Sequence, residues 1–177
     1  MSFTRVTLNF LAACCLSVIC PMIAWAQNNE VSLSAGGGGV LSGGKSVSAP
    51  ACTLAYTRHL TDHLAVEGAF ELFYIRGDDF AGAQVAALYH FRPADETRRF
   101  IPYVTAGIGK TSTDFTEIEG QVVIRLGGGF KYYFLENLGL RVELRDEIIR
   151  TGGSGYYPLP GSPQHLLSVR AGVVLRF

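Results

Sequence analysis

Charged side chains of alternating sign occupy every second position of one stretch near the end of the chain. They are Arg141, Glu143, Arg145 and Glu147. In a β-strand, residues two apart share a face, so these groups would stand together on one side of a sheet. There they can neutralise one another as ion pairs. If the pairs exchanged partners, the same groups would line a narrow path for ions.

The division into a charged face and an apolar face recurs in other segments. Near the C-terminus, Val169 and Val173 oppose Arg170. Helical spacing would instead scatter such charges around an axis. A charged, glycine-rich face repeated on strand after strand cannot make a dry core, so the pattern predicts a membrane-spanning barrel with lipid outside and a polar lumen. A soluble barrel of the lipocalin type would need the reverse polarity.

Stretches rich in Gly, Ser and Asp separate eight such segments, each of about ten or more residues, which suits tilted membrane strands. The segments cover approximately 30–40, 48–60, 63–75, 82–92, 100–111, 120–134, 137–150 and 164–177. We therefore predict an all-β fold, an eight-stranded antiparallel up-and-down transmembrane β-barrel.

The connections between the segments alternate between short and long, with one irregularity. Thr61-Asp62 and Glu136-Asn137 predict tight turns, and Pro93–Arg99 is of intermediate length where a short turn is expected. Longer loops are predicted at Ser42–Val47, Arg76–Ala81, Thr111–Glu119 and Thr151–Gln164. In outer-membrane barrels the short turns are periplasmic and the long loops external, and an even strand count places both termini in the periplasm.

The first residues have the three parts of a secretory signal peptide. Arg5 supplies the positive charge, the run from Val6 to Trp25 is mostly apolar, and Ala24-Trp25-Ala26 is a small-residue cleavage site. We therefore expect a signal peptide over 1–26 and one outer-membrane β-barrel domain over 27–177.

Two other interpretations of this N-terminal segment fit less well. Asn9 and Pro21 interrupt the run that a retained membrane anchor would need. Cleavage at the lipoprotein-like Leu11-Ala12-Ala13-Cys14 would leave a strongly apolar segment at the mature N-terminus.

Composition narrows the classes of partner and cofactor. The chain has 15 basic and 15 acidic residues without a basic cluster, so nucleic acid is not an expected partner. Three of the four cysteines lie in the predicted signal peptide, which leaves Cys52. A lone cysteine forms no internal disulfide or cysteine metal cluster, and we interpret Cys52 as a small strand residue.

Histidine and serine are the residues from which a hydrolytic site could be built. His165 begins the last segment, with Ser162 and Ser168 close in sequence, so a Ser/His pair is conceivable. No lipid-hydrolase signature surrounds it, and the other three histidines lie toward the opposite end without metal-ligand spacing. We therefore predict a protein that is not an enzyme and that uses no metal or cofactor.

Three further motifs can each be interpreted either as a structural feature of a strand or loop or as a binding site. The run Gly36–Gly39 lacks the Lys-Ser/Thr of a nucleotide loop, so close backbone approach or a strand kink is expected. Arg76-Gly77-Asp78 is a tripeptide read in cell adhesion, yet it is also common turn chemistry. The loop Thr151–Gln164 is the best candidate for contact with another molecule.

Aromatic residues are concentrated near the ends of the segments, as in the interfacial girdles of membrane barrels. Phe91, Phe100, Tyr103, Phe134 and Phe177 would lie toward the periplasmic rim, and Phe73, Tyr74 and Phe80 toward the other. The alternative is that aromatic residues simply favour strands.

Four segments, together with Phe177, resemble the outer-membrane β-barrel superfamily of OmpA and OmpX type. The segments are Thr57–Glu67, Ile101–Gly109, Gly127–Tyr133 and Leu138–Asp146. The resemblance implies location in the cell outer membrane, recognition of Phe177 by the outer-membrane assembly machinery, and escort by periplasmic chaperones. Larger OmpA-type proteins add a peptidoglycan-binding domain after the barrel, and since this chain stops at the barrel the resemblance does not imply a cell-wall tether.

Eight strands enclose a lumen just wide enough for side chains to fill. The predicted lumen charges are Glu67, Glu71, Arg125, Lys131, Arg141, Glu143, Arg145, Glu147 and Arg170. Their near balance predicts a paired network that plugs and stiffens the barrel. We therefore expect a structural, envelope-integrity or surface-interaction function for a monomer embedded in outer-membrane lipid. A narrow gated ion channel and a lipid-active enzyme are the alternatives.

Overall fold

The computed structural model describes residues 29–42, 45–75, 78–92, 99–112, 121–150 and 164–177. Its strands are β1 (Asn29–Ser42), β2 (Lys45–His59), β3 (Leu64–Ile75), β4 (Asp78–His90), β5 (Phe100–Ser112), β6 (Gln121–Tyr133), β7 (Leu138–Arg150) and β8 (Gln164–Arg176). Each strand pairs antiparallel with the next, and β8 pairs with β1, so the sheet closes into a barrel. The predicted barrel is confirmed, whereas the signal peptide over 1–26 lies outside the described residues.

Both chain ends of the described barrel meet at one rim, which we call the terminal rim. There Asn29 and Phe177 exchange backbone hydrogen bonds of 2.9 and 3.1 Å, so the seam between β1 and β8 stays paired to its end. The connections 60–63 and 134–137 lie at the same rim, as do residues 91, 92 and 99 between β4 and β5. Within the described residues, no helix has the length and apolarity needed to cross a membrane.

Two predicted loops at the other rim are mostly strand. β1 continues to Ser42 and β2 begins at Lys45, which leaves little of the predicted loop Ser42–Val47. In the same way β4 begins at Asp78, within the predicted loop Arg76–Ala81. These predictions were wrong because turn-forming residues also accept extended backbone where a neighbouring strand supplies ladder hydrogen bonds. Arg76 and Gly77 themselves lie outside the described residues, as do 113–120 and 151–163.

Apolar side chains cover the outside of the barrel, and charged side chains line its inside. Leu140, Val173 and Leu175 are 48%, 49% and 45% exposed. Arg141 and Arg145, on the opposite face, are 3% and 1% exposed. The inverted polarity predicted from the sequence is therefore confirmed.

Glycines that face the lumen let neighbouring strands approach closely. A Cβ at Gly36 would lie 2.7 Å from Arg170 Cα and still closer to the Val169 carbonyl oxygen. The close approach predicted for Gly36–Gly39 is therefore confirmed at this position. At Gly68, which faces outward, a Cβ would meet nothing within 4 Å.

Three of the five aromatic side chains predicted for the girdle at the terminal rim point outward. Phe91, Phe100 and Phe134 are exposed there. Tyr103 was expected among them but is buried in the lumen, because it occupies an inward position of β5 next to the outward-facing Val104. Phe177 is half-buried. Toward the other rim Tyr74 is exposed, whereas the side chains of Phe73 and Phe80 lie outside the described residues.

Candidate functional site: the charged lumen

The charged residues predicted for the lumen all point into it, and each is at most 3% exposed. They are Glu67 and Glu71 of β3, Arg125 and Lys131 of β6, Arg141, Glu143, Arg145 and Glu147 of β7, and Arg170 of β8. The structure adds the side chains of Glu30, His59, His90 and Arg176, which the predicted set of lumen charges did not include. Glu30 shares a polar face with Ser32 and Ser34, so the two-residue period of β1 was a signal for it.

A central cluster joins opposite walls of the barrel through Arg141. Its guanidinium contacts Glu67 through Nη1, and its Nη2 lies 3.2 Å from Glu67 Oε1. Its Nε donates to Glu143 Oε2 at 3.0 Å and to Tyr103 Oη at 2.8 Å. Tyr103 in turn donates to Glu143 at 2.7 Å, and Arg125 donates to Glu67 at 2.9 Å. Strands β3, β5, β6 and β7 are thus held together across the lumen.

A distal cluster lies farther from the terminal rim and is organised by Glu71. Arg170 contacts Glu71 and also lies 3.2 Å from Glu147. Gln84 donates to Glu71 at 2.9 Å and accepts a hydrogen bond of 2.9 Å from Arg125. Because Arg125 also binds Glu67, the distal and central clusters form one connected network.

A terminal cluster closes the lumen at the terminal rim around Glu30. The Glu30 carboxylate accepts a hydrogen bond of 2.7 Å from Tyr133 and contacts Lys131. His59 Nε2 lies 3.0 Å from the same carboxylate, and the His59 ring stacks on His90 with centroids 5.0 Å apart. The Arg176 guanidinium lies over the Tyr133 ring, 4.0 Å from its centroid. Side chains from five strands therefore meet at this end.

Every buried carboxylate of the lumen approaches a cationic side chain within the part of the chain that the structure describes. Glu30, Glu67, Glu71 and Glu143 each approach two or more cationic side chains, and Glu147 approaches Arg170. These ion pairs offset the free-energy cost of removing the charged groups from water. Loss of one partner leaves the other charge buried and unpaired, which is destabilising. Chemically, the arrangement is a set of ion pairs that connect the walls of the barrel across the lumen.

Within the described residues, His165 and Ser168 do not form the hydrolytic pair considered from the sequence. His165 stands on the outer wall, where its Nδ1 lies 2.9 Å from Asp146 Oδ2. Ser168 faces the lumen, because it is an odd number of positions from His165 along β8, so these two side chains lie on opposite walls and do not form a pair. Ser162 lies outside the described residues, in which no group of three or more His, Cys, Asp or Glu side chains could hold a metal ion.

A family model for the outer membrane protein beta-barrel domain matches residues 11–177. The chain belongs to this family. The barrel is therefore a protein of the cell outer membrane, as its exposed apolar wall requires. No curated protein sequence matches the chain significantly.

Solved structures of similar barrels share the fold at low sequence identity. Neisserial surface protein A is 15% identical, with a TM-score of 0.65 over 85% of this chain and 98% of that one. The N-terminal β-barrel domain of Pseudomonas aeruginosa OprF is 18% identical, with a TM-score of 0.54 over 84% and 98%. The outer membrane enzyme PagL is also 18% identical, with a TM-score of 0.54 over 84% and 99%. Identities at this level establish a common fold and not a common activity.

Proposed function

We propose that this barrel is a closed, non-enzymatic component of the outer membrane that supports the integrity of the envelope. The observation that carries the proposal is the position of Arg141, which binds Glu67 on a distant strand and Glu143 on its own strand. Ion pairs that cross the lumen connect its walls. The lumen of an eight-stranded barrel is just wide enough for side chains, so such pairs leave little room for an open channel. As in other outer-membrane barrels, the terminal rim would face the periplasm.

Electrical recording tests whether the lumen is closed. In planar bilayers the wild-type barrel should give no steady conductance, and Arg141→Ala should introduce a small leak by removing the central brace. Leu140→Ala, on the lipid-facing side of the same strand, is the control and should remain silent. Steady current through the wild-type protein would contradict closure, and loss of that current in Arg141→Ala would favour a channel.

A narrow ion path is the second candidate function, and one contact favours it. Arg145 Nη1 lies 3.6 Å from Glu71 Oε2, a separation too long for a hydrogen bond, while Arg170 is shared between Glu71 and Glu147. Partner exchange in the distal cluster would begin at such a pair. If the wild-type barrel conducts, Arg145→Gln should change its ion selectivity, which a reversal potential in a salt gradient would measure.

The envelope function has its own test in cells. Cells that lack this chain should take up more of a membrane-impermeant dye, and expression of the wild-type barrel should restore the barrier. Arg141→Ala should restore it less well than Leu140→Ala at equal amounts in the outer membrane. Equal dye uptake with and without the chain would refute the envelope function.

The proposal includes assembly as a monomer in outer-membrane lipid. Periplasmic chaperones would escort the chain, and the outer-membrane assembly machinery would then recognise Phe177. Its support is the pairing of Phe177 with Asn29, which places this residue at the closing seam. Phe177→Ala should lower the amount of folded barrel in outer-membrane fractions, as judged by its faster migration on unboiled gels. An unchanged amount of folded Phe177→Ala barrel in the outer membrane would show that Phe177 is not the assembly signal.

A further inference from the structure

Three arginines occupy one arc of the terminal rim. Arg58 is the next-to-last residue of β2, Arg92 follows β4, and Arg99 directly precedes β5. All three are exposed, and within the described ranges their side chains make no hydrogen bond or ion pair. Since β2, β3, β4 and β5 are consecutive neighbours in the sheet, the three cationic groups follow one half of the circumference.

Each of these arginines is close in sequence to an exposed apolar side chain. Leu60 lies two residues beyond Arg58 and is 60% exposed. Phe91 and Phe100 adjoin the other two arginines and are 57% and 43% exposed. An apolar anchor beside a long cationic side chain suits the boundary between hydrocarbon and headgroups, because the anchor enters the apolar layer while the charge stays at the surface.

The other half of the same rim has a different charge. In the turn 134–137, the exposed Phe134 and Leu135 adjoin Glu136, and no Lys or Arg among the described residues of that half is exposed. In the arginine arc Asp62 is the one exposed acid that the structure describes, against three exposed arginines. By sequence, residues 93–98 add Asp95, Glu96 and Arg98, so this arc with its connections carries four arginines and three acids. Exposed apolar side chains thus occur on both halves of the rim, while the exposed cationic groups that the structure describes there lie in one arc.

We propose that the arc of Arg58, Arg92 and Arg99 binds the headgroups of anionic phospholipids in the periplasmic leaflet of the outer membrane. A guanidinium forms paired hydrogen bonds with phosphate oxygens, and its charge complements a headgroup with a net negative charge. A zwitterionic lipid is bound less well, because its own cation opposes the arginines. This binding surface is on the outside of the barrel and does not depend on whether the lumen conducts.

Electron paramagnetic resonance of spin-labelled lipids tests the proposal directly. The barrel is refolded into phosphatidylcholine vesicles that contain a trace of spin-labelled phosphatidylglycerol or phosphatidylcholine, and the immobilised fraction of each label is compared. We expect a preference of about threefold for phosphatidylglycerol at low salt. In about 0.5 M NaCl the preference should largely disappear because the charges are screened.

The main test variant is the triple substitution Arg58→Gln, Arg92→Gln and Arg99→Gln. It should abolish the preference for phosphatidylglycerol over phosphatidylcholine. Lys110→Gln is the control, because Lys110 is an exposed cation near the other rim, and it should change the preference least. Heat-modifiable migration on a gel establishes that each variant has folded. If the triple variant does not fold, Arg92→Gln alone, outside the strands, should still lower the preference. Equal immobilisation of both lipids by the wild type, or an unchanged preference in the folded arginine variants, would overturn the proposal.

Discussion

The inner and outer walls of this barrel follow opposite rules, although alternate residues of the same strands build both. On the inside, Arg141 depends on particular carboxylates at particular distances. On the outside, Leu140 and Leu144 need only an apolar surrounding, which fluid lipid supplies whatever the side-chain shape. The comparison teaches that contacts in the lumen are directional and depend on one another, whereas contacts with lipid are interchangeable.

The largest difference between the walls should come from adjacent residues of β7. Arg141→Met leaves Glu67 and Glu143 without their shared cation, and we expect a loss of about 3–5 kcal/mol in the free energy of unfolding. Leu140→Ala should cost about 1–2 kcal/mol, the value for a lost apolar contact. Urea unfolding in lipid vesicles, followed by circular dichroism, measures both. Equal losses would mean that the lumen network contributes no more than lipid contact.

Glycines on the two walls should differ almost as much. A Cβ at Gly129 would lie 2.9 Å from Glu143 Cα and 3.1 Å from Tyr103 Oη. Gly129→Ala should therefore cost about 2–3 kcal/mol through overpacking. Gly68→Ala, which meets no atom, should change stability by less than about 0.5 kcal/mol. The same unfolding experiment applies, and similar values for the two variants would show that the strands around Gly129 move apart easily.

Tyrosine hydroxyls give a finer comparison. Tyr103→Phe removes the donor to Glu143 and the acceptor for Arg141, and should cost about 1–2 kcal/mol. Tyr132→Phe alters an exposed side chain on the lipid-facing wall and should be almost neutral. Thermal unfolding of the two variants, recorded side by side, measures the difference. A neutral Tyr103→Phe would show that the remaining contacts of the central cluster are sufficient.

The smallest effect is expected for the ion pair on the outer wall. His165 and Asp146 are 46% and 35% exposed, so Asp146→Asn should change stability by less than about 0.5 kcal/mol. Neither this variant nor the wild type should release fatty acid from lipid substrates. Wild-type deacylase or phospholipase activity that His165→Ala abolishes would give this pair an enzymatic function after all.

Much of the barrel could be predicted, because the evidence for a strand is local. In β6 and β7 the two-residue period placed every predicted charge on the inner wall. Tyr103 was misplaced because it was assigned by its nearness to a strand end rather than by its position in the alternation. The brace between Arg141 and Glu67 could not be predicted, because its partners are 74 residues apart and lie on strands that are not neighbours.

The order of the amino acids by itself determined how many strands form and which residues of each strand face lipid, since alternation is a property of neighbouring residues. Only the tertiary structure decided which carboxylate each guanidinium binds and where Glu30 and Arg176 join the network. The physical reason is closure. When β8 pairs with β1, the tilt and stagger of the strands set the height at which side chains from distant strands meet in the lumen.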